Sequence, residues 1–446
     1  MHRNDNKDYR ITRNTILISL IISILSCFHN SLYAQEELIH PIEGETILDT
    51  TDICIRFVTR KQNYDKDDTL TRDKNILSPK SVSIHPEGKK YYVNSLEGAS
   101  TIAYDFDSGK RLKVIRHRFD STKLHLWAPD SGLFIFNHSY DDTLRFIGKP
   151  VEAAFSHGGQ YLWVPYYRRS FDLNAQEPSA MAVIDTHVDK IIRLFETGPL
   201  PKMVTCSPDE RKIAVAHWGD NTIGVIDIDS LDPTEWHYQK LYIVDKKLEL
   251  NYSLTDTVNR DVGSGYCLRG SVFTPDSRYL LVACMGGAGG IAVVDVEEQQ
   301  YLGRLTGVRS NARHIIIKDN QLYASINKSG YVQKIALDSI YHAIDKLKSS
   351  KIKHARAKGW SECKIPQGAR TIVASPDGRY IFAACNTQSK LAVVDAESMK
   401  LVGTIDVDSY PVGLDISADG QYLITTSQGR NNKGGNAVNI FKIEYK

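Results

Sequence analysis

A phrase of about fifteen residues that occurs seven times is the strongest constraint on how this chain folds. Each copy has an alternating apolar run, a turn rich in Pro, Asp or Gly, and a second apolar run, as in TIVASPDGRYIFAAC from Thr371 and GSVFTPDSRYLLVAC from Gly270. Pro or Ala favours the start of a type I turn, Asp supports it through its side chain, and Gly accepts the left-handed position. Each phrase therefore predicts a β-hairpin; the other five copies start at Ser81, Glu152, Met203, His314 and Gly413.

Two further apolar runs follow the hairpin in most copies. The third run reads IAVVD at 291–295 and LAVVD at 391–395, and a fourth follows at 301–305 and 401–405. Four short antiparallel strands per unit cannot bury both faces alone, so the units must stack around an axis. The sequence thus predicts an all-β fold, a seven-bladed β-propeller of four-stranded blades.

The seventh unit supplies three strands, so its fourth must come from elsewhere or leave an open edge. An isolated alternating run at 53–59 precedes the first unit. We expect this run to pair beside 438–443 and close the ring.

These repeats resemble the YVTN-repeat β-propeller family. The matching segments are PEGKKYYVN at 86–94, PDGRY at 376–380 and VVD at 393–395, and the resemblance covers about 78–445. It implies a seven-bladed propeller similar to exported surface-layer and periplasmic binding proteins. More remotely, it implies similarity to propeller lactonases and to the propellers of cofactor-dependent redox enzymes. A fold does not by itself fix a function.

The N-terminus predicts export. Arg10 and Arg13 precede an apolar stretch at 16–28 that is shorter than a membrane-spanning helix requires. Cleavage after Ala34 would release a mature protein. Alternatively, the segment contains a bacterial lipobox, and cleavage after Ser26 would leave Cys27 lipidated. Both alternatives predict that the protein resides in the periplasm or cell envelope of a bacterium. We also expect it to be a monomer.

The remaining chain divides into an N-terminal segment at 35–77, which carries the ring-closing run, and the propeller at 78–446. Insertions lengthen the propeller at 118–148, 231–266 and 338–362, and the last of them predicts a short helix at 339–348. The first insertion has a second interpretation, as a degenerate eighth blade.

The overall charge excludes a bulk polyanion partner. The 446 residues carry 55 basic and 53 acidic side chains; without residues 1–34 they carry 51 of each. Nonspecific nucleic-acid binding needs a basic footprint that such a neutral chain lacks as a whole.

Locally, however, a basic residue stands just before the innermost strand in five of the seven units. In unit order the residues at this position are Lys80, Val151, Lys202, Arg269, Arg313, Arg370 and Val412. Five cations around one channel mouth would attract a small anion, a glycan or an envelope protein. Alternatively, these side chains satisfy carbonyls at strand starts or pair with Asp residues of neighbouring blades.

The loops after the second strands add aromatic and basic candidates. Exposed rings beside hydrogen-bond donors suit a saccharide, nucleobase or peptide, and the candidates are Tyr166, Tyr167, Arg168, Arg169 and Trp218. The alternative is that the rings only cap the blade ends.

The favoured function is noncatalytic ligand binding at the channel mouth. One alternative is a propeller lactonase-like hydrolase that uses Glu152, His217 or His314 as acid or base with Arg as oxyanion donor. The other, the least favoured, is single-stranded nucleic-acid binding through the aromatic loops.

The sequence predicts neither a metal nor a cofactor. The fourteen His lack paired metal spacing, and no HExxH, P-loop or Gly-x-Ser-x-Gly motif is present. Outside the signal six Cys remain without a CxxC, and Cys267 with Cys284 is the candidate disulfide.

Overall fold

Seven antiparallel sheets surround a central channel in the computed structural model, and the innermost strand of each sheet lies against that of the next. The structure describes residues 43–64, 71–135, 146–169, 172, 174–253, 255–260, 263–350, 352–430 and 434–446. The predicted seven-bladed β-propeller is confirmed.

The first half of the chain forms the N-terminal strands and blades 1 to 3. Strands β1 (Thr46–Asp49) and β2 (Ile53–Gln62) come first. Blade 1 contains β3 (Pro79–Ile84), β4 (Lys90–Ser95), β5 (Ser100–Asp105) and β6 (Arg111–Arg116). The next strands are β7 (Arg118–Phe119) and β8 (Phe146–Pro150). A 3-10 helix, Ser121–Leu126, lies between them in the chain.

Blade 2 contains β9 (Ala154–Ser156), a 3-10 turn at His157–Gly159, β10 (Tyr161–Arg169), β11 (Ser179–Asp185) and β12 (Lys190–Thr197). Strand β8 pairs with β10, and β7 pairs with β8, so these two strands extend blade 2. The described part of the first insertion is therefore not an eighth blade. Blade 3 contains β13 (Pro201–Cys206), β14 (Lys212–His217), β15 (Thr222–Asp227) and β16 (His237–Ile243).

Blades 4 and 5 share the third insertion. Blade 4 has β17 (Leu268–Phe273), β18 (Tyr279–Cys284), β19 (Ile291–Asp295) and β20 (Gln300–Thr306). Blade 5 begins with β21 (Ala312–Lys318), β22 (Gln321–Ile326) and β23 (Tyr331–Ala336). The insertion then forms helix α1 (Leu337–Ser350), β24 (His354–Arg356), which pairs in parallel with β20, and β25 (Ser361–Lys364), the fourth strand of blade 5.

Helix α1 is longer than the predicted 339–348. Its buried residues are Leu337, Ile340, Ala343, Ile344 and Leu347, at the spacing that places one apolar stripe against a core. That stripe packs with residues of blades 4 and 5, so the helix covers their outer edges.

Blades 6 and 7 complete the ring. Blade 6 has β26 (Ala369–Ala374), β27 (Tyr380–Cys385), β28 (Lys390–Asp395) and β29 (Lys400–Asp406). Blade 7 has β30 (Pro411–Ile416), β31 (Tyr422–Ser427) and β32 (Ala437–Tyr445).

The N-terminal strand closes the ring as predicted. Strand β2 pairs antiparallel with β32, which places Ile55 opposite Ile443 and Phe57 opposite Phe441. The two phenyl rings meet edge to face with centroids 5.9 Å apart. Strand β1 adds a fifth strand outside β2, which the sequence did not predict.

Candidate functional site

One local backbone pattern places the basic residues of five blades. Each is the second residue of its innermost strand, and two positions earlier stands a residue with positive φ, between 48° and 88°. At the basic residue itself the pairing with the second strand is irregular. Such irregularities redirect a side chain out of the regular strand alternation. The five residues, here called the basic ring, are Lys80, Lys202, Arg269, Arg313 and Arg370.

The basic ring is compact and largely withdrawn from solvent. Lys80, Lys202, Arg269 and Arg370 are only 9%, 7%, 7% and 5% exposed. All except Lys80 line one narrow cavity on the axis, together with Glu152 and His314. That cavity shares residues with a wider one of about 390 Å³ along the innermost strands. Positive charge is therefore concentrated at a constriction of the channel.

Aromatic faces hold two of the cations. The Lys202 Nζ lies 3.2 Å from the centroid of the Tyr167 ring and 4.4 Å from that of Trp218. The Arg269 Cζ lies 3.6 Å from the centroid of Trp218. The indole thus lies between two cations, and cation–π attraction orders both side chains.

Two other cations contact uncharged side chains of the preceding blade. The Lys80 Nζ donates to Gln428 Oε1 at 3.2 Å, and Arg313 Nη1 lies 3.8 Å from Met285 Sδ. Within the described residues, no carboxylate lies within 4.0 Å of Lys80, Lys202, Arg313 or Arg370. The alternative of direct pairing with Asp residues of neighbouring blades is therefore wrong for these four.

Burial and mutual repulsion make the basic ring electrostatically costly. Desolvation, followed by the nearby arginines, lowers the pKa of Lys80 and of Arg313 well below the ordinary values. The Glu152 carboxylate acts in the opposite direction on the pKa of both groups. One carboxylate against five cations leaves a net positive field, which a bound anion would relieve.

The three residues considered for hydrolysis are not brought together. Glu152 and His314 line the same cavities. His217 is fully buried at the end of β14, hydrogen-bonds Thr222 Oγ1 through Nδ1 at 2.8 Å, and lines neither cavity.

His314 has a fixed and uncharged role in the channel wall. Its Nδ1 accepts the Ile372 N–H at 3.3 Å, which leaves the proton on Nε2. Burial lowers the pKa of His314 to about 4. At neutral pH this imidazole is a hydrogen-bond donor in the channel, and the Glu152 carboxylate lines the same cavities.

The prediction that the aromatic residues form a platform exposed to solvent is wrong. Tyr166 is fully buried, and its hydroxyl bonds His117 Nδ1 at 2.9 Å inside blade 2. Trp218 is only 2% exposed because Lys202 and Arg269 flank it. Tyr167 and Arg168 are half-buried, and the side chain of Arg169 lies outside the described residues.

Residues of the second insertion cover this end of blades 2 and 3. Gln176 exchanges hydrogen bonds with the backbone of Tyr252 at 2.8 and 2.9 Å, and Arg260 donates to the Gly219 carbonyl at 2.6 Å. Sequence reasoning missed this cover because 244–266 has no periodic pattern.

Sequence reasoning named Trp218 but missed Met285 and Gln428 as contacts of the basic ring. All three are the first residue after the second strand of their blade, and in six blades this residue donates its N–H to the carbonyl of the residue of positive φ. Aligning that position would have found them within the set Leu96, Trp218, Met285, Asn327, Asn386 and Gln428.

Other sequence candidates are placed as follows. Cys267 and Cys284 are both buried, and the suggested disulfide between them is not formed in this structure. In the described part of the chain, no group of three His, Cys, Asp or Glu is arranged to hold a metal ion. No described helix combines the length and apolarity that membrane crossing requires. The predicted signal segment and the lipidation candidate Cys27 lie outside the described residues.

Gly270, which follows Arg269 of the basic ring, allows a direct test of how closely blades 4 and 5 approach each other. A Cβ on Gly270 would lie 2.6 Å from His314 Cα and 2.8 Å from the Ile315 nitrogen, both backbone atoms of blade 5. We expect Gly270→Ala to separate blades 4 and 5 and to cost about 1–3 kcal/mol in urea unfolding.

The matched control is Gly263→Ala, where the added Cβ meets only the Asn259 carbonyl, at 3.3 Å. We expect its unfolding free energy to change by less than about 1 kcal/mol. Equal costs for the two variants would contradict the close approach at Gly270.

Comparison with known proteins supports the fold and relates the chain to a family. A family model described as "Lactonase, 7-bladed beta-propeller" matches residues 179–444, more than half of the chain. Antigen Lp49 of Leptospira interrogans is 21% identical over 298 residues, which is 56% of this chain and 60% of that relative. The chain therefore spans about 60% of the length of this curated relative.

Solved structures are similar in fold at low identity. Hydrazine synthase of Kuenenia stuttgartiensis aligns with a TM-score of 0.56 and 12% identity over 85% of this chain and 99% of that chain. The Cps50 (Swd1) β-propeller domain of Myceliophteria thermophila aligns with a TM-score of 0.53 and 12% identity. The alignment covers 82% of this chain and 96% of that chain. At these identities the likeness extends to the fold alone.

Proposed function

This chain belongs to the lactonase, seven-bladed β-propeller family, and we propose that it uses the channel of this fold to bind a small organic anion with two or more acidic groups. The binding is noncatalytic and takes place outside the cytoplasm, as the N-terminal sequence predicts. The basic ring forms the binding site, and the Glu152 carboxylate orients the ligand by accepting a hydrogen bond.

One observation carries this proposal: four cations of the basic ring have no carboxylate partner within 4.0 Å among the described residues. A purely structural cation is normally paired or solvated, because an isolated buried charge is costly. Aromatic, amide and thioether contacts order the basic ring without neutralising it. This arrangement is stable when an anion supplies the missing charge.

Substitution at the basic ring tests the proposal by calorimetry at low salt with citrate, sulfate and, as a neutral comparator, glucose. We expect Arg313→Gln or Arg370→Gln to weaken citrate binding about ten-fold or more, because one charge-assisted hydrogen bond is lost. Glucose should not bind. The control is Arg116→Gln, an exposed arginine on β6, which should leave citrate affinity unchanged.

The same variants separate binding from a structural role. Without anion, Arg313→Gln removes repulsion, so its unfolding free energy should rise by about 1 kcal/mol. With citrate, the wild type should gain more stability than the variant. Unchanged citrate affinity together with a loss of stability in the variant would make the basic ring structural and refute the proposal.

Lactone hydrolysis is a second candidate, which the family match and the joint presence of Glu152 and His314 favour. Glu152 would act as general base, and the Arg313 guanidinium would stabilise the oxyanion. The test is hydrolysis of a lactone that carries a carboxylate. We expect Glu152→Gln to abolish any turnover; no wild-type turnover above buffer would eliminate this candidate.

A further inference from the structure

We propose that Lys202 captures the carbonyl carbon of a small oxo acid as a reversible imine. The ligand class is thus an anion of the proposed kind that also carries an aldehyde or ketone next to one of its acidic groups. This inference rests on the proposed function for one part only, namely that the other cations of the basic ring hold the ligand's carboxylate.

The position of Lys202 separates it from an ordinary surface lysine. The residue is 7% exposed and lines the narrow cavity beside Arg269, Arg313 and Arg370. Its Nζ lies between the faces of Tyr167 and Trp218. Among the described residues, its Nζ forms neither a hydrogen bond nor an ion pair. The amine is therefore held in place by rings and leaves its lone pair uncommitted.

The charges around Lys202 favour its neutral form. Burial, followed by the nearby charges of Arg269, Lys80, Arg370 and Arg313, holds the pKa of Lys202 well below the ordinary lysine value. The two aromatic faces act in the opposite direction, because a ring face attracts the charged ammonium. Burial and four like charges therefore oppose the ammonium, and two rings favour it.

Burial and the nearby arginines also lower the pKa of Lys80, but two contacts distinguish it from Lys202. Its Nζ donates to Gln428 Oε1, and the Glu152 carboxylate favours its charged form. The geometry therefore assigns the nucleophile to Lys202, the amine that faces rings and cations. A lysine desolvated beside other cations is a recognised nucleophile for carbonyl compounds.

The chemistry balances without a redox partner. The neutral Lys202 Nζ attacks the carbonyl carbon, a C–N bond forms, and the amine proton passes to the carbonyl oxygen. Loss of water breaks the C–O bond and leaves the imine. Hydrolysis reverses each step, so capture and release need no further reagent.

Reductive trapping tests the inference on the full chain at pH 7. The protein is incubated with glyoxylate and borohydride, and modified lysines are located by peptide mass spectrometry. A lysine of ordinary pKa leaves about one amine in 2,500 neutral at pH 7. We therefore expect Lys202 to be trapped at least about ten-fold faster than the exposed Lys113. Lys202→Arg should abolish this fast trapping, because a guanidinium does not form the imine, while it keeps a basic side chain at this position of the basic ring.

A second probe distinguishes failure of this inference from failure of the proposed function. Formaldehyde has no carboxylate, so its fast trapping at Lys202 needs only the neutral amine. Fast trapping by both probes, slowed for glyoxylate alone in Arg370→Gln, supports the inference and the anion site. Fast trapping by formaldehyde alone refutes the oxo-acid ligand. Trapping no faster than at Lys113 with both probes overturns the inference, and retained citrate binding would then leave the proposed function standing.

Discussion

Replacing Ile55 by Asp should prevent the ring from closing. Ile55 is fully buried on β2 and packs with Phe382, Leu391 and Phe441 at the junction of blades 6 and 7. Loss of a buried Ile side chain costs about 2–5 kcal/mol, and an unpaired buried carboxylate adds to this. We expect a loss of about 5 kcal/mol or more, which is comparable to the total stability of many domains. The measurement is urea unfolding followed by circular dichroism.

Two further variants on β2 calibrate this result. Ile55→Val removes one methylene group and should cost about 0.5–1.5 kcal/mol, a loss that can be measured in a folded protein. Arg56 points to solvent, where it pairs with Glu444 at 3.4 Å with both side chains 43% exposed. Arg56→Gln should therefore change stability by less than about 1 kcal/mol. If Ile55→Asp were as stable as Arg56→Gln, strand β2 would not be needed for closure.

Acidification should destabilise the protein through His117. This imidazole is fully buried, with Nε2 at 2.8 Å from Thr101 Oγ1 and Nδ1 at 2.9 Å from the Tyr166 hydroxyl. Burial lowers the pKa of His117 from 6.5 to about 3. The unfolded chain therefore takes up a proton below about pH 6.5 that the folded chain refuses. The stability contributed above pH 6.5 is lost as pH falls towards 3, by about 3 kcal/mol between pH 7 and pH 4.

The contribution of His117 is isolated by comparing pH profiles of unfolding free energy. His117→Gln should be less stable than the wild type at pH 7, because the hydrogen-bonded network is disturbed. Between pH 7 and pH 4, however, the variant should lose about 3 kcal/mol less than the wild type. His237→Gln, at an exposed residue, should retain the wild-type profile. Parallel profiles for wild type and His117→Gln would contradict a neutral buried imidazole.

The fold could be predicted from the sequence because residues close together in the chain determine its turns. The Ser375 hydroxyl donates to Asp377 at 2.6 Å, and the Gly378 N–H donates to the Ser375 carbonyl at 2.9 Å, so four consecutive residues specify the turn of this hairpin. The closing strand was also visible, since the alternation at 53–59 matches a half-buried strand. Strand β25 was not predicted, because SECK at 361–364 has no apolar run.

The candidate site was only partly predictable. The basic ring could be found because a basic residue occurs at the same position, at the start of the innermost strand, in five blades. The roles of Tyr166 and Tyr167 could not be separated, because successive residues of a strand point to opposite sides and the sequence does not fix which side faces the channel. His217 and His314 likewise differ only by their surroundings.

Ring closure by β2 and β32 sets the order of events when the protein folds. Arg56 and Glu444, which pair across these strands, are 388 positions apart in the chain. A nascent chain that has not reached residue 437 has no partner for β2, and the apolar flank of blade 6 is uncovered. Because such distant contacts close slowly, the unfinished ring is exposed to aggregation during synthesis. Pairing of β32 with β2 is thus the step that completes the native ring.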